Sequence, residues 1–199
     1  SGTQTTLCSF SGVNANHDEA DDMVLDNSGN ILLAGSTNNA AEMLLLKYTG
    51  SGALSWQTSM ALASSGTSKS LKMGTDASGD VFVLGKNEYA TGSQYYLSSW
   101  LAGGIFNFSV PVNAQAYLDF NFKDMAVDVN GNSYIVFTGS TGNNSYDVLL
   151  CRYDINGTPS APVVYSCSGS SSSVRARVMN AATAGSLFFS FDNTGSSRV

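Results

Sequence analysis

The densest run of acids in the chain, His17-Asp18-Glu19-Ala20-Asp21-Asp22, also holds its only histidine. Grouped carboxylates are the hard oxygen donors that Ca²⁺ collects, about six to eight at a time. A structural Ca²⁺ is therefore the one cofactor this run admits; a solvated acidic loop is the plainer reading. Asp22 has a counterpart in Asp124, each placed shortly before a methionine, Met23 or Met125. That recurrence favours a repeated capping role over a unique site. Asp26, Asp76 and Asp128 each open an Asp-x-x-Gly turn, but they lack the alternating acids and downstream glutamate of an EF-hand loop, so no metal is assigned to them. Tyr89, Tyr95, Tyr117 and Tyr146, with Asn38, Asn39, Asn143 and Asn144, are the residue types that hold sugars by stacking and hydrogen bonding; packing inside the fold is their commoner fate. With one histidine there is no Ser-His-Asp argument, and no catalytic residue is expected. Only carboxylates and tyrosines remain for a hydrolase or lyase.

Composition narrows the partners. The net charge is -6, and the nine Lys and Arg are scattered, which leaves no basic footprint for a phosphate backbone. Nucleic acid is excluded as an expected partner. No apolar run reaches the length of a membrane-spanning helix, and the first residues show no basic-apolar signal segment. Only 12% of residues are charged, and the apolar 43% falls in short runs separated by Ser, Thr, Asn and Gly, the pattern of many short strands joined by small polar turns. Cys8, Cys151 and Cys167 make no metal-ligand spacing and no disulfide framework. They read as small strand residues, with a Cys151–Cys167 bridge the main exception.

The elements that must position these residues repeat. Met23-Val24-Leu25-Asp26-Asn27-Ser28-Gly29-Asn30-Ile31-Leu32-Leu33-Ala34-Gly35 returns about fifty residues later from Met73 to Gly85, and again around Asp128-Val129-Asn130-Gly131-Asn132. Leu44-Leu45-Leu46-Lys47-Tyr48, Tyr96-Leu97-Ser98-Ser99-Trp100 and Leu149-Leu150-Cys151-Arg152-Tyr153 keep the same beat, as do Gly52, Gly104 and Gly157. Each unit parses into four strands: one ending at the Asp, one after the Gly, one carrying Leu-Leu-x-x-Tyr, and an outer one near Trp56 or Phe108. Four short strands per unit describe a β-propeller blade. The expected fold is therefore all-β, one propeller segment over 1–199. Its blades fall at 18–60, 68–110 and 120–168, with a partial, degenerate blade at 174–199, where Ala182 replaces the turn Asp. Residues 1–12 supply the outer strand of a closing blade. Three clear blades make an incomplete ring, so the remaining blades come from the same chain or a second subunit.

The order Met-Val-Leu-Asp-x-x-Gly-Asn-Ile-Leu-Leu-Ala-Gly-Ser-Thr at 23–37, followed by Leu-Leu-Lys-Tyr and Trp56, resembles the SBBP-type propeller repeat of secreted bacterial proteins, especially surface proteins of Bacteroidetes-like bacteria. The resemblance covers residues 18–165. It departs at Trp100, where Tyr is usual, and in the fourth unit. It implies export to the cell surface and a repeat scaffold for adhesion or assembly, and it carries no catalytic residues.

Both turn sets, Asp-x-x-Gly and Thr49-Gly50-Ser51-Gly52 with its equivalents, gather at one end of the sheets. The opposite end collects the segments 13–22, 36–42, 61–70, 86–94, 112–122 and 140–146, and function concentrates in such loops. The expected binding set is Asp18, Glu19, Asp21, Asp22, Asn38, Asn39, Tyr89, Tyr95, Tyr117, Asn143, Asn144 and Tyr146. The first expectation is a non-catalytic extracellular module that binds another protein or cell-surface component. The alternatives are a lectin-like propeller that binds polysaccharide and, third, a hydrolase or lyase. Sequons at Asn107, Asn143 and Asn156 matter only in a eukaryotic host.

Overall fold

The computed structural model describes residues 17–113, 119–142, 145–167, 174–183 and 186–193. The chain divides into two compact units, Ser1–Pro111 and Val112–Val199. In the first unit, β1 (Glu19–Leu25), β2 (Ile31–Thr37), β3 (Glu42–Tyr48) and β4 (Leu54–Met60) form one sheet in that order. The strands β5 (Thr67–Thr75), β6 (Val81–Tyr89), β7 (Gly92–Trp100) and β8 (Phe106–Val112) form the next. The second unit repeats the pattern with β9 (Asp119–Val127), β10 (Ser133–Gly142), β11 (Ser145–Tyr153) and β12 (Val163–Cys167), and adds the hairpin of β13 (Val174–Thr183) and β14 (Ser186–Asn193), whose β13 lies against β9 and β10. The protein is thus all-β, three four-stranded antiparallel meanders and a hairpin, with no helix among the described residues and so none that could cross a membrane. The strand expected within 1–12, and Cys8 with it, lie outside the described residues.

The apolar runs are continuous rather than alternating because β2 and β3 are covered on both faces. Leu32, Ala34, Met43 and Leu45 point to one side and pack against Leu62 of the β4–β5 connection and Met73, Val81, Val83 and Trp100 of the second sheet. Leu44, Leu46 and Tyr48, with Ile31 and Leu33, occupy the other side. Close approach of the two sheets fixes Gly85: a Cβ there would lie 2.6 Å from Leu62 Cδ1 and 3.1 Å from Met43 Sδ. In the second unit Phe120 stacks on Phe137 at 3.8 Å and Phe122 meets the same ring edge-on.

One turn design recurs in all three sheets. Asp26 Oδ1 accepts the N–H groups of Ser28 and Asn30, both at 2.9 Å, while Gly29 takes a φ of 76°. The same contacts recur at Asp76, Asp128 and Asp154, closed by Gly79, Gly131 and Gly157 at φ of 82°, 79° and 77°. Glycine accepts this left-handed conformation without the Cβ clash that other residues suffer. In the first sheet the turn also holds a charge pair, Lys47 Nζ to Asp26 Oδ2 at 3.0 Å, with both side chains buried. Lys47 and Trp56 Nε1 donate to the Ala102 carbonyl at 3.3 and 3.0 Å, and Asn27 donates to the Ala77 carbonyl, so the turn end of the first sheet grips that of the second.

The alternative disulfide is excluded by register. Cys167 lies opposite Tyr146, whereas Leu150 lies opposite Val163. Cys151 is therefore five residues along β11 from the partner of Cys167, roughly 16 Å at about 3.3 Å per residue, beyond the roughly 7 Å a disulfide spans. Cys151 is a buried free thiol, its pKa pushed up to about 11 by burial.

Burial alone would raise the Asp26 carboxyl, but hydrogen bonds from Asn30, Lys47 and the backbone of Asn30 and Ser28 outweigh it and hold the pKa at about 2, against an ordinary 3.8. A carboxyl lowered in the folded state stabilises above its unfolded value, and that contribution fades as pH falls through the folded one. It is worth roughly 2 kcal/mol at neutral pH. Urea unfolding should therefore show Asp26→Asn less stable than wild type at pH 7, with the gap closing by roughly 2 kcal/mol between about pH 4 and pH 2. A pH-independent gap would remove the charge from the account.

Candidate functional site

The end of the sheets opposite the Asp turns is less of a loop surface than the sequence implies. Glu19, Asp21 and Asp22 lie in β1. The segment expected to form a loop at 86–94 is a continued ladder, with Lys86 opposite Tyr95, Asn87 opposite Gln94 and Tyr89 opposite Gly92, so only Ala90 and Thr91 turn. Tyr95 is accordingly buried, with the Lys86 ammonium 5.9 Å from its ring centre. Tyr146 likewise sits in β11, opposite Ser140. Solvent is reached at the tip of the β6–β7 hairpin, where Glu88, Ala90 and Thr91 are exposed, and composition alone does not distinguish such a tip from a loop. Tyr117, Asn143 and Asn144 lie outside the described residues.

The acids of β1 hold sheets together. The strand carries a bulge at Asp21, between Ala20 and Asp22 in register, and β5 carries one at the equivalent place, between Ser70 and Lys72. A bulge turns backbone groups away from their own ladder. The β1 carboxylates meet those of β5: Asp22 Oδ2 accepts the Met73 N–H at 2.8 Å, and its Oδ1 lies 3.3 Å from Lys72 Nζ. Asp21 Oδ2 accepts the Ser70 hydroxyl at 2.8 Å. The Asp21 carboxyl is raised, chiefly by burial and less by Glu19 and Asp22, with the Ser70 hydrogen bond and Lys69 opposing. In the third sheet Asp124 accepts the N–H of its neighbour Met125.

The β2–β3 connection is a left-handed turn. Asn38, Asn39 and Ala40 have φ of 57°, 57° and 62°, and Ala41 N–H closes back on the Asn38 carbonyl at 3.2 Å. Asparagine tolerates this region; alanine pays a steric cost in it. The turn is pinned on two sides. Asn39 Oδ1 accepts the His17 N–H and its own N–H returns to the His17 carbonyl, while the Ala40 carbonyl takes the Ser68 N–H at 2.6 Å. Below it, buried Asn87 donates to the Ser65 carbonyl and accepts from Ser68 Oγ, which in turn accepts the Leu62 N–H. This network fixes the crossing from β4 to β5, and no local pattern announces it, since an Asn in a polar stretch reads as exposed.

One cleft of about 250 Å³ opens here. Its floor is Leu33, Leu44 and Leu46, and its rim carries Asp18 and Glu19. Asp18 is engaged, its Oδ1 accepting the Thr37 hydroxyl at 2.6 Å. Among the described residues no three His, Cys, Asp or Glu converge as a metal-ligand group. The chemistry on offer is an apolar groove edged by carboxylate, a surface for an apolar side chain flanked by a cation or an N–H. The chain matches no protein-family model and no curated protein sequence.

Two variants separate support from recognition. Asp22→Ala strands the Met73 amide and should cost about 1–3 kcal/mol in unfolding free energy; an unchanged value would mean that the sheets are not latched there. Ala40→Gly should raise stability by about 0.5–1 kcal/mol, because relief of left-handed strain exceeds the added unfolded-state entropy. A loss would show that the turn is not left-handed in solution.

Proposed function

We propose that the repeated sheets are blades of an extracellular β-propeller of the SBBP type, and that the chain is a non-catalytic module for binding another protein at a bacterial surface. The observation that carries this reading is the asymmetry between the two ends of the sheets. Four hairpins at one end share the same Asp contacts and the same left-handed glycine. At the other end the first two sheets differ: a pinned left-handed turn at Asn38–Asn39–Ala40 in one and an extended hairpin tip beyond Tyr89 in the next. A constant end maintains a scaffold; a varied end serves recognition. Unequal tips also weigh against a sugar site repeated from blade to blade. The acids that a carboxylate enzyme would need are engaged in latching, Asp21 to Ser70 and Asp22 to Met73. The blades at 18–60, 68–110 and 120–168, with a further partial one at 174–199, would be completed by other blades of the same chain or of a second subunit.

The immobilised chain should retain intact bacterial cells, and mild protease treatment of those cells should abolish retention. Exchanging Ala90 and Thr91 for Asn-Gly, and separately removing the Glu19 side chain, should weaken retention, whereas Ala77→Ser at the opposite end should not. Retention that survives protease and yields to soluble glycans would replace this reading with the lectin one. Absence of retention in every condition would overturn surface binding altogether.

A further inference from the structure

The first two sheets repeat one another, yet the same position is covered in one and open in the other. Met23 and Met73 hold equivalent places, each just beyond the bulge of its strand and paired with Leu33 or Val83. Met73 is 3% exposed, because the first sheet packs over it and over Val81, Val83 and Trp100. Met23 is 58% exposed. It belongs to the face turned away from the second sheet, which continues through Ile31 and Leu33 to Leu44 and Leu46 at the floor of the cleft. What covers Met73 is a sheet of this repeat, so the matching cover for Met23 is another such sheet. Met23 and Leu25 are both exposed in the isolated chain, which places that cover on another molecule.

Charge indicates which sheet fits. Where the first sheet packs on the second, acids meet bases: Asp22 lies 3.3 Å from Lys72 Nζ, and the Lys69 charge acts on the Asp21 carboxyl, opposing its rise by burial. On the open face the signs are reversed. Glu19 and Asp22 hold the positions of Lys69 and Lys72, and Asp18 joins Glu19 at the rim of the cleft. A fitting sheet therefore carries a cation where the first sheet carries Asp21. The strand β13 has that pattern. Its Asn180 pairs with Phe188 as Val24 pairs with Leu32, which aligns Arg177 with Asp21 and Arg175 with Glu19. On β14, Phe188 takes the position of Leu32, the one that packs onto the next sheet. The hairpin also continues the series, since β13 lies against β9 and β10 as β5 lies against β1 and β2.

We propose that the open face of the first sheet, with its cleft, is the docking site for the β13–β14 hairpin of a second copy of this chain, Arg177 taking the position that faces Glu19. The inference rests on reading the sheets as blades of one repeat. Apolar cover over Met23 and Leu33 supplies the attraction, and the reversed charges select this hairpin over a sheet with acids at the same place. The contact joins two different surfaces; made reciprocally by two copies, it closes as a two-fold dimer.

The test is the solution mass of the whole chain by light scattering across a dilution series, with folding checked by circular dichroism. Wild type should be a dimer that dissociates on dilution. Met23→Glu alters an exposed side chain and should leave a folded monomer. Glu19→Arg alone and Arg177→Glu alone set like charges against each other at both contacts, and each should raise the dissociation constant roughly tenfold or more. An equimolar mixture of these two variants has a complementary pair at both contacts and should dimerise as wild type does, a recovery that damaged folding cannot imitate. A wild type that is monomeric at every concentration overturns the docking. So does a dimer unmoved by Met23→Glu, which must use another surface, or a mixture that associates no better than its components. Retention of cells is measured separately: a monomer that retains them loses this inference and keeps the surface-binding reading.

Discussion

The hairpins that recur from sheet to sheet are organised around a carboxylate that folds back on its own turn. Asp26, Asp76, Asp128 and Asp154 each accept two amides from the residues two and four places later. This satisfies donors that a tight reversal would otherwise leave exposed or unpaired, and it sets the register of the hairpin that follows. Since side chains alternate faces every residue, that register decides which of Leu32 and Leu33, or Leu44 and Leu45, looks toward the next sheet. A slip of one residue would exchange the two cores.

The same turns carry the contacts between the first two sheets. The Lys47–Asp26 pair is buried, and a buried pair is costly unless its remaining hydrogen-bonding capacity is used. Here it is used: Lys47 also donates to the Ala102 carbonyl, which Trp56 shares, and Asp26 is filled by Asn30 and its own turn amides. At the far end Asp21 and Asp22 do comparable work through the two bulges. Polar latches at both margins frame an apolar centre, so the sheets are fixed in position as well as attracted. The latches also explain why acids concentrated next to the only histidine make a poor argument for catalysis.

The four-strand unit, its period and its Asp turns were legible in the chain, because Asp-x-x-Gly and Leu-Leu-x-x-Tyr are local patterns with local physical causes. The candidate site was legible only in part. The sequence brought attention to Asp22 and to its counterpart Asp124, but no local pattern indicates that Asp22 meets an amide some fifty residues away. Tyr95 was expected at a surface and is buried, because the hairpin it belongs to runs on through a polar stretch. Asn87 was overlooked for the converse reason: a buried asparagine looks like any other until its partners, Ser68 and the Ser65 carbonyl, converge on it.

By itself the sequence determined an all-β chain of repeated four-stranded sheets, since turn chemistry and the spacing of apolar runs act over a few residues. Tertiary structure decided what each acid does. Whether a carboxylate holds a lysine, an amide or a serine depends on which residue of the next strand or the next sheet arrives beside it. That follows from register and bulges summed over two strands, and no single strand encodes it.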